Sequence, residues 1–413
     1  MRILNVDPVR RKPIGIFFFG MLVALVFFTV IMPNSFQVAT AIVMFGSAFV
    51  CLFYISKTDI SSRFLIFLYL SFCVTLLYLV VGLMNLAPNK AVLQVIYIYM
   101  VSPFLWFVIL TFLIVHFGDK KIINFFIPIA WVCCFSCFVF FYLFEKYGSK
   151  SVSLFIENAN LNTKDGYSGA TMHVYGSLIF LAGGFFSAPE VIKNKILMVL
   201  TLIILSIAAV TSGRTALIVS IFIGLFVFLF FSSGSNSIKV KIGFVFSLLL
   251  VVITVIYISS FFRGIDLFYV MNVVTDKVFS GGGIERTVQT EKLIESFSNS
   301  YGLGVGHGVG IDYIRSPEFP WRYETIWIAT LHRVGFLGAL IYFMPFAVYL
   351  VATFFKLFKC GLNLSERFFL GAFLCAFAAS NTNPYLEGVT FQWMYVFPVL
   401  AFFLRNRELG FYK

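Results

Sequence analysis

The residues of this sequence that could bind an anion or move a proton lie at the ends of long apolar stretches. Arg214 occupies the turn "VTSGRT" between the apolar stretches 196–212 and 215–231, and Arg333 and Glu387 stand in similar places. A guanidinium group at such a turn can point into a cavity that holds an anion, because its N–H groups match phosphate oxygens. It can also extend to the lipid headgroups. The residues by themselves leave both interpretations of Arg214 open.

The composition of the chain is that of an integral membrane protein. Of its 413 residues 60% are hydrophobic and only 12% are charged, and the mean hydropathy is +0.97, whereas a soluble domain has about a quarter of its residues charged. Apolar runs of helical spanning length recur along the chain, without the alternation of an outer-membrane barrel. We therefore predict an all-α polytopic membrane protein whose spans lie at 14–32, 38–56, 64–83, 91–115, 122–144, 171–188, 196–212, 215–231, 242–262, 335–355, 368–382 and 388–404, about twelve in all.

Lysine and arginine residues decide the predicted orientation, since short cytoplasmic loops carry an excess of both. Most of the 30 lie on the same side as the N-terminus, so both termini are predicted to be cytoplasmic. We interpret residues 1–413 as a single membrane domain with a smaller outer loop at 145–170 and a large one at 263–334. A loop as long as the second is usually functional or carries structure of its own.

Several kinds of function lack their sequence motifs. The chain has no phosphate-binding loop GxxxxGK[ST], and "GLGVGHGVG" (302–310) does not have the spacing GxGxxG. The four histidines include no i,i+4 pair, which argues against a metal site. The predicted spans are nearly free of charge, which argues against a transporter because transport needs polar groups along a pathway. Chemistry at one face of the membrane suits a lipid-linked substrate better.

The large outer loop contains three features in order. The segment "IERTVQTEKLIESF" (284–297) has apolar residues at helical spacing, and it predicts a short helix on the outer membrane surface that Arg286 opens. The glycine-rich run 302–310 follows, and its glycines allow tight turns and close approach of the backbone. The segment "ETIWIATLHRVGFLG" (324–338) then leads into the predicted span at 335–355.

This order of features resembles the O-antigen polymerase and O-antigen ligase superfamily. Its members have an arginine-containing turn before a mid-chain span, then an R-x-x-x helix leading to G-x-G, and in the ligases a motif H-N-x-x-L-x-x-L-x-E-x-G. With that motif aligned on Gly335, Glu324 takes the place of the histidine, Thr325 that of the asparagine and Arg333 that of the glutamate. A glutamate in the position of the histidine is more similar to the polymerases.

The resemblance implies a GT-C-like fold and a metal-independent, inverting glycosyl transfer at the periplasmic face of the bacterial inner membrane. The implied substrates are two glycans carried on undecaprenyl diphosphate, and their joining polymerises oligosaccharide repeat units into O-antigen or another surface polysaccharide. No cofactor is implied. Besides the lipids of the inner membrane, the implied partners are a chain-length regulator of the co-polymerase type and the flippase for repeat units, with no nucleic acid.

The resemblance also assigns roles to individual residues. The predicted general base is Glu324, with His307 and His332 as alternatives. The predicted ligands of the diphosphate are arginines, because their fork of N–H donors suits phosphate: Arg214, Arg286 and, as a third candidate, Arg333. Two other functions stay open at this point, namely an O-antigen ligase that acts on lipid A–core and a lipid-glycan transporter without catalysis.

Overall fold

The computed structural model describes residues 15–56, 60–148, 160–162, 169–171, 174–211, 215–231, 242–243, 245–247, 249–250, 253–254, 283–314 and 319–406. Arg214 and most of the predicted span 242–262 lie outside the described residues. The first helices are α1 (Ile16–Val26), α2 (Gln37–Leu52), α3 (Ser62–Met84), α4 (Asn89–Ile96), α5 (Ser102–Phe117) and α6 (Asp119–Tyr147). Turns of π-helix extend α1 over Phe27–Ile31 and join α4 to α5 over Tyr97–Val101.

The rest of the described chain is also mainly helical, and it contains one short hairpin. Strand β1 (Asn160–Asn162) pairs antiparallel with β2 (Gly169–Thr171) in the predicted smaller outer loop. The later helices are α7 (Val174–Ser187), α8 (Lys195–Thr211), α9 (Thr215–Phe231), α10 (Gly283–Asn299), α11 (Ile326–Cys360), α12 (Leu364–Ala379) and α13 (Trp393–Arg405). Short 3₁₀ turns cover Pro189–Val191, Tyr385–Glu387 and Val389–Phe391.

Four helices of the described chain are long and apolar enough to cross a membrane. They cover Ser62–Met84, Asn89–Phe117, Asp119–Phe140 and Ile326–Cys360, and six shorter apolar helices accompany them. This confirms the predicted helical architecture and is compatible with a membrane protein, and the number of spans stays a prediction. The tenth predicted span starts at 335, and the backbone of α11 is non-helical at that residue, so its long part begins there and residues 326–334 form an additional short helix before it. The short helix contains Arg333, whose charge the protein interior accommodates through a buried ion pair.

Helices α7, α9 and α12 pack closely because small residues lie where they cross. A Cβ atom at Gly183 of α7 would lie 2.5 Å from Sγ of Cys375 in α12, and one at Gly224 of α9 would lie 2.6 Å from Cβ of Phe186. Small residues at such crossings let the helix backbones approach, which is how helices associate within lipid. Around them lies a large cluster of buried aromatic side chains, including Phe180.

Ion pairs connect the ends of α6, α11, α12 and α13 at the predicted cytoplasmic side. The Lys356 ammonium lies 2.5 Å from the Glu366 carboxylate and 2.7 Å from Oδ1 of Asn406, and all three are buried. Nη1 of Arg405 lies 2.6 Å from the Asp119 carboxylate. These pairs lie at the helix ends opposite to the outer loop, so variants of them are suitable controls for variants of that loop.

The helix predicted over 284–297 is confirmed as α10, which packs against the start of α11. Leu293 is fully buried and Val288 and Phe297 are half-buried, in agreement with the predicted apolar face. Gln289 is buried on the same helix although it is polar. The placement of α10 on the outer membrane surface stays a prediction. Helix α10 therefore brings its polar residues against the chain that enters α11.

Candidate functional site

Helix α11 is broken at Gly335, between the outer loop and the long apolar segment. The backbone of Gly335 has φ 63° and ψ −175°, so residues 326–334 form a separate short helix before the kink. A positive φ of this kind is readily adopted only by glycine. A Cβ atom there would also overlap the carbonyl of Leu303. The kink therefore depends on Gly335, and it presents the end of the short helix to the glycine-rich run.

The glycine-rich run 302–310 pairs with the backbone groups that the kink leaves without helical partners. The N–H of Val305 donates to the carbonyl of His332 at 2.9 Å, and that of Gly306 donates to the carbonyl of Arg333 at 2.9 Å. On the far side of the kink, the N–H of Phe336 donates to the carbonyl of Gly302 at 3.0 Å. Buried backbone groups need such partners, so the run and the kink form one structural unit.

The same run lies against the outer end of α3. The N–H of His307 donates to the carbonyl of Tyr78 at 2.9 Å, and Asn85 Nδ2 donates to the carbonyl of Val305 at 2.7 Å. Gly306 has φ 96°, and a Cβ atom on it would overlap the backbone of Gly82. The predicted tight turns and close backbone approach are therefore confirmed for this run.

Arg286 and Glu324 form an ion pair at the start of the short helix. Nε of Arg286 donates to Oε2 of Glu324, and the two side chains are 29% and 13% exposed. The backbone N–H of Glu324 donates to Oε1 of Gln289 at 2.9 Å, which fixes the chain there. The structure thus brings a predicted diphosphate ligand and the predicted base together at a partly exposed position.

Arg333 lies in a second, buried ion pair with Glu387, and each side chain is only 5% exposed. Its Nη1 donates to Oε1 of Glu387 and to the hydroxyl of Tyr99 at 3.2 Å, and its Nη2 donates to the carbonyl of Trp321 at 2.8 Å. The Tyr99 hydroxyl in turn donates to Glu387 at 2.5 Å. Both terminal nitrogens of Arg333 are therefore bonded to protein oxygens. This arrangement does not suit the role of diphosphate ligand that the sequence suggested for Arg333.

The two alternative bases are enclosed by protein. Nε2 of His307 lies 2.9 Å from the hydroxyl of Tyr342, and the side chain is 1% exposed. His332 is fully buried, with Nε2 3.4 Å from the carbonyl of Val309. Burial, together with the positive charge of Arg333, lowers the pKa of His307 to about 3. Both histidines thus have the surroundings of packing residues, and Glu324 is the most accessible of the three predicted bases.

The low pKa of His307 predicts an acid-sensitive fold. The unfolded state, with its ordinary pKa of 6.5, binds more protons than the folded state at pH values between about 3 and 6.5. Stability is therefore lost as the pH falls below about 6.5, at no more than about 1.4 kcal/mol per pH unit. We expect the midpoint temperature of unfolding to fall less in the purified His307→Gln variant than in the wild type when the pH is lowered from neutral to about 4. An equal shift in both proteins would contradict this account.

An apolar cavity of about 120 Å³ lies beside the buried ion pair, between α3, α5, α11 and α13. Most of its wall consists of aromatic and aliphatic side chains such as Phe64 and Phe346, and Tyr99 and Tyr342 line it as well. Their rings stack at 5.4 Å between centroids. The cavity therefore places apolar surface directly next to the polar network of Arg333.

Two residues of the site were not identified in the sequence, and one predicted residue is not described. Gln289 follows Arg286 by three positions, so the two lie on the same face of α10, and this spacing could have indicated that they belong to one site. No pattern in the sequence indicated Tyr99. Glu387 had been noted at an outer helix end, without a role. Arg214 lies outside the described residues, between the end of α8 at Thr211 and the start of α9 at Thr215.

Within the described part of the chain, no three His, Cys, Asp or Glu side chains are grouped as metal ligands. Comparison with known proteins gives no match to a family model, to a curated protein or to a solved structure.

Proposed function

We propose that this chain polymerises lipid-linked oligosaccharide repeat units, as the O-antigen polymerases do. The observation that most supports the proposal is the ion pair of Arg286 and Glu324, which are 38 positions apart in the sequence. The resemblance assigns Arg286 the role of diphosphate ligand and Glu324 the role of general base. A site that couples proton transfer to departure of a diphosphate needs both groups within reach of one reacting sugar.

The proposed reaction is an inverting glycosyl transfer at the periplasmic face of the inner membrane. A hydroxyl oxygen of the incoming repeat unit bonds to the anomeric carbon of the growing glycan, and the bond from that carbon to the diphosphate oxygen breaks. Glu324 takes the hydroxyl proton, and undecaprenyl diphosphate leaves with the bonding electrons. Arg286 and Arg214 stabilise the negative charge that grows on the leaving diphosphate, and no metal or other cofactor takes part.

The position of Arg286 suits an anion for a second reason. It lies in the first turn of the 17-residue helix α10, where the helix dipole and unpaired backbone N–H groups favour negative charge. We propose that the diphosphate of the growing glycan draws the guanidinium of Arg286 away from Glu324. The carboxylate then becomes available to accept the hydroxyl proton.

The apolar cavity beside Tyr99 and Tyr342 supports a substrate that has a lipid part. Three of the helices around it, α3, α5 and α11, belong to segments that are long and apolar enough to cross a membrane, and Thr330 of the short helix that follows Glu324 is part of its wall. A transporter would instead be expected to have polar groups along a pathway through several helices. The polar and charged network around Arg333 is gathered near the outer ends of the helices, which favours chemistry at one face.

The proposed architecture is GT-C-like, with about twelve spans, two cytoplasmic termini and an active site outside the cytoplasm. Cysteines placed at Ser235 and Asn363 are expected to resist a membrane-impermeant thiol reagent in intact cells, because both positions face the cytoplasm in this topology. A cysteine at Lys277 is expected to react. Labelling of the Ser235 cysteine from outside would overturn the orientation and the periplasmic site with it.

Deletion of the gene tests the proposed function against its alternatives. Loss of a polymerase leaves lipid A–core with a single repeat unit, whereas loss of a ligase leaves bare core. We expect a single repeat unit, with long glycans restored by the wild-type chain and not by Glu324→Gln at equal protein level. Bare core would identify a ligase, and unchanged long glycans would exclude both enzymes. The chain-length regulator and the flippase are the partners we propose for this step.

A further inference from the structure

We propose that Glu387 and Tyr99 are positioning residues, which act through Arg333 to hold the segment that carries Glu324. The inference rests on the proposed function in so far as Glu324 is the catalytic base. Glu387 lies in the 3₁₀ turn Tyr385–Glu387 and Tyr99 in the π-helical turn between α4 and α5. Neither residue contacts Arg286 or Glu324 in the described hydrogen bonds, but both are hydrogen-bonded to Arg333, which contacts the segment before Glu324.

Arg333 touches the segment before Glu324 at two places. Its Nη2 donates to the carbonyl of Trp321 at 2.8 Å, which fixes the backbone three residues before the base. Its guanidinium also lies over the ring of Tyr323, 5.3 Å from the centroid, directly next to the base in the chain. Both aromatic residues are buried. A guanidinium held in one place therefore restricts the backbone on which Glu324 sits.

Glu387 and Tyr99 bind the other terminal nitrogen of that guanidinium. The Glu387 carboxylate accepts from Nη1 of Arg333 and from the Tyr99 hydroxyl, so the three side chains form a closed triangle of hydrogen bonds. Removing two charges from water costs about as much as their attraction returns, so a buried pair is a weak source of net stability. What such a pair does supply is a fixed geometry, because rotation of either group leaves a buried charge without a partner.

The other side of the base segment is anchored independently. The N–H of Glu324 donates to the buried side chain of Gln289 at 2.9 Å, and Trp321 Nε1 donates to Oε1 of Gln94 at 2.7 Å. The segment is thus held by α10 and α4 as well as by Arg333. When Arg333 no longer holds the segment, the Glu324 carboxylate is chemically unchanged, but its position relative to Arg286 is less fixed.

The experiment compares Glu387→Gln and Tyr99→Phe with a matched control, Glu366→Gln, in purified protein reconstituted with undecaprenyl-diphosphate repeat units. Glu366 belongs to the buried pair with Lys356 at the other end of α11, and it does not contact the base segment. Turnover and KM are measured per folded protein, and hydrogen exchange is followed in peptides that cover residues 319–329. Tyr99→Phe removes only a hydroxyl, so it keeps the test decisive if Glu387→Gln fails to fold.

We expect Glu387→Gln to lower kcat by about 10- to 100-fold with little change in KM, since a misplaced group of this kind costs about that much. Tyr99→Phe should act in the same direction by a smaller factor, and both should speed exchange in residues 319–329. Glu366→Gln should change neither quantity. Exchange or kcat that stays at the control level in both test variants overturns the proposal. If the wild type makes no polymer, the proposed function fails, and faster exchange in the two test variants alone still supports the positioning role.

Discussion

Glu324→Gln is expected to lower polymerisation turnover by about 10²- to 10⁴-fold, the usual contribution of a general base. Glutamine has the size of glutamate and leaves the backbone bond from residue 324 to Gln289 in place, but it cannot take a proton from the acceptor hydroxyl. Lipid-linked substrate should still bind, because Arg286 keeps its charge. The measurement is the rate at which purified protein in liposomes converts repeat units to longer glycans.

A matched control for this variant is Glu295→Gln. Glu295 is an exposed carboxylate on α10 that pairs with Lys292 at 2.7 Å, in the same outer segment as the site. Exposed pairs contribute about 0–1 kcal/mol to stability, so this variant should keep turnover close to that of the wild type. Wild-type turnover by Glu324→Gln would remove Glu324 as the base and return His307 and His332 to consideration.

Arg286→Ala is expected to lower turnover by about 10²- to 10³-fold, because one contact that stabilises charge in the transition state is usually worth that much. Arg286→Lys should be clearly impaired as well, since lysine keeps the charge but loses the two-pronged geometry that fits a phosphate. An arginine that only neutralised Glu324 would tolerate lysine well. The comparison of these two variants therefore separates a diphosphate ligand from a simple charge partner.

The same comparison applies to Arg214, which the sequence places in the turn between α8 and α9. If it binds the diphosphate, Arg214→Ala should nearly abolish long glycans and Arg214→Lys should be impaired, both at normal protein levels. Arg405→Lys is a suitable control, because Arg405 pairs with Asp119 at the predicted cytoplasmic end. Normal glycans from Arg214→Ala would assign this arginine to the lipid headgroups and leave the diphosphate to Arg286.

The helices were predictable from the sequence because each depends on local properties. An apolar run of 20 or so residues is enough to indicate a helix in lipid, and α3 and α6 lie close to the predicted ranges. Helix α10 was predictable from the spacing of its apolar residues. The long part of α11 was predicted to start at 335, where the kink lies, but the short helix 326–334 was not, because it contains Arg333, whose burial depends on Glu387 from a distant part of the chain.

The site was only partly predictable, for the same physical reason. The types of Arg286 and Glu324 and their order along the loop indicated phosphate binding and proton transfer. Their direct pairing depends on how α10 packs against α11, which no local pattern records. Arg333 shows the limit most clearly. A surface charge and a buried, paired charge look alike in the sequence, and only the packed structure distinguishes a ligand from a residue that holds the protein in place.

The most direct test of the central claim is reconstitution of the purified chain alone in liposomes, with undecaprenyl-diphosphate repeat units as the only glycan and excess EDTA present. Gel separation of the glycans after incubation measures the product. The account predicts a ladder of increasing length with release of undecaprenyl diphosphate, and no ladder from Glu324→Gln. Repeat units that stay single with folded wild-type protein, or a ladder that forms only after Mg²⁺ or Mn²⁺ is added, would contradict metal-independent polymerisation by this chain.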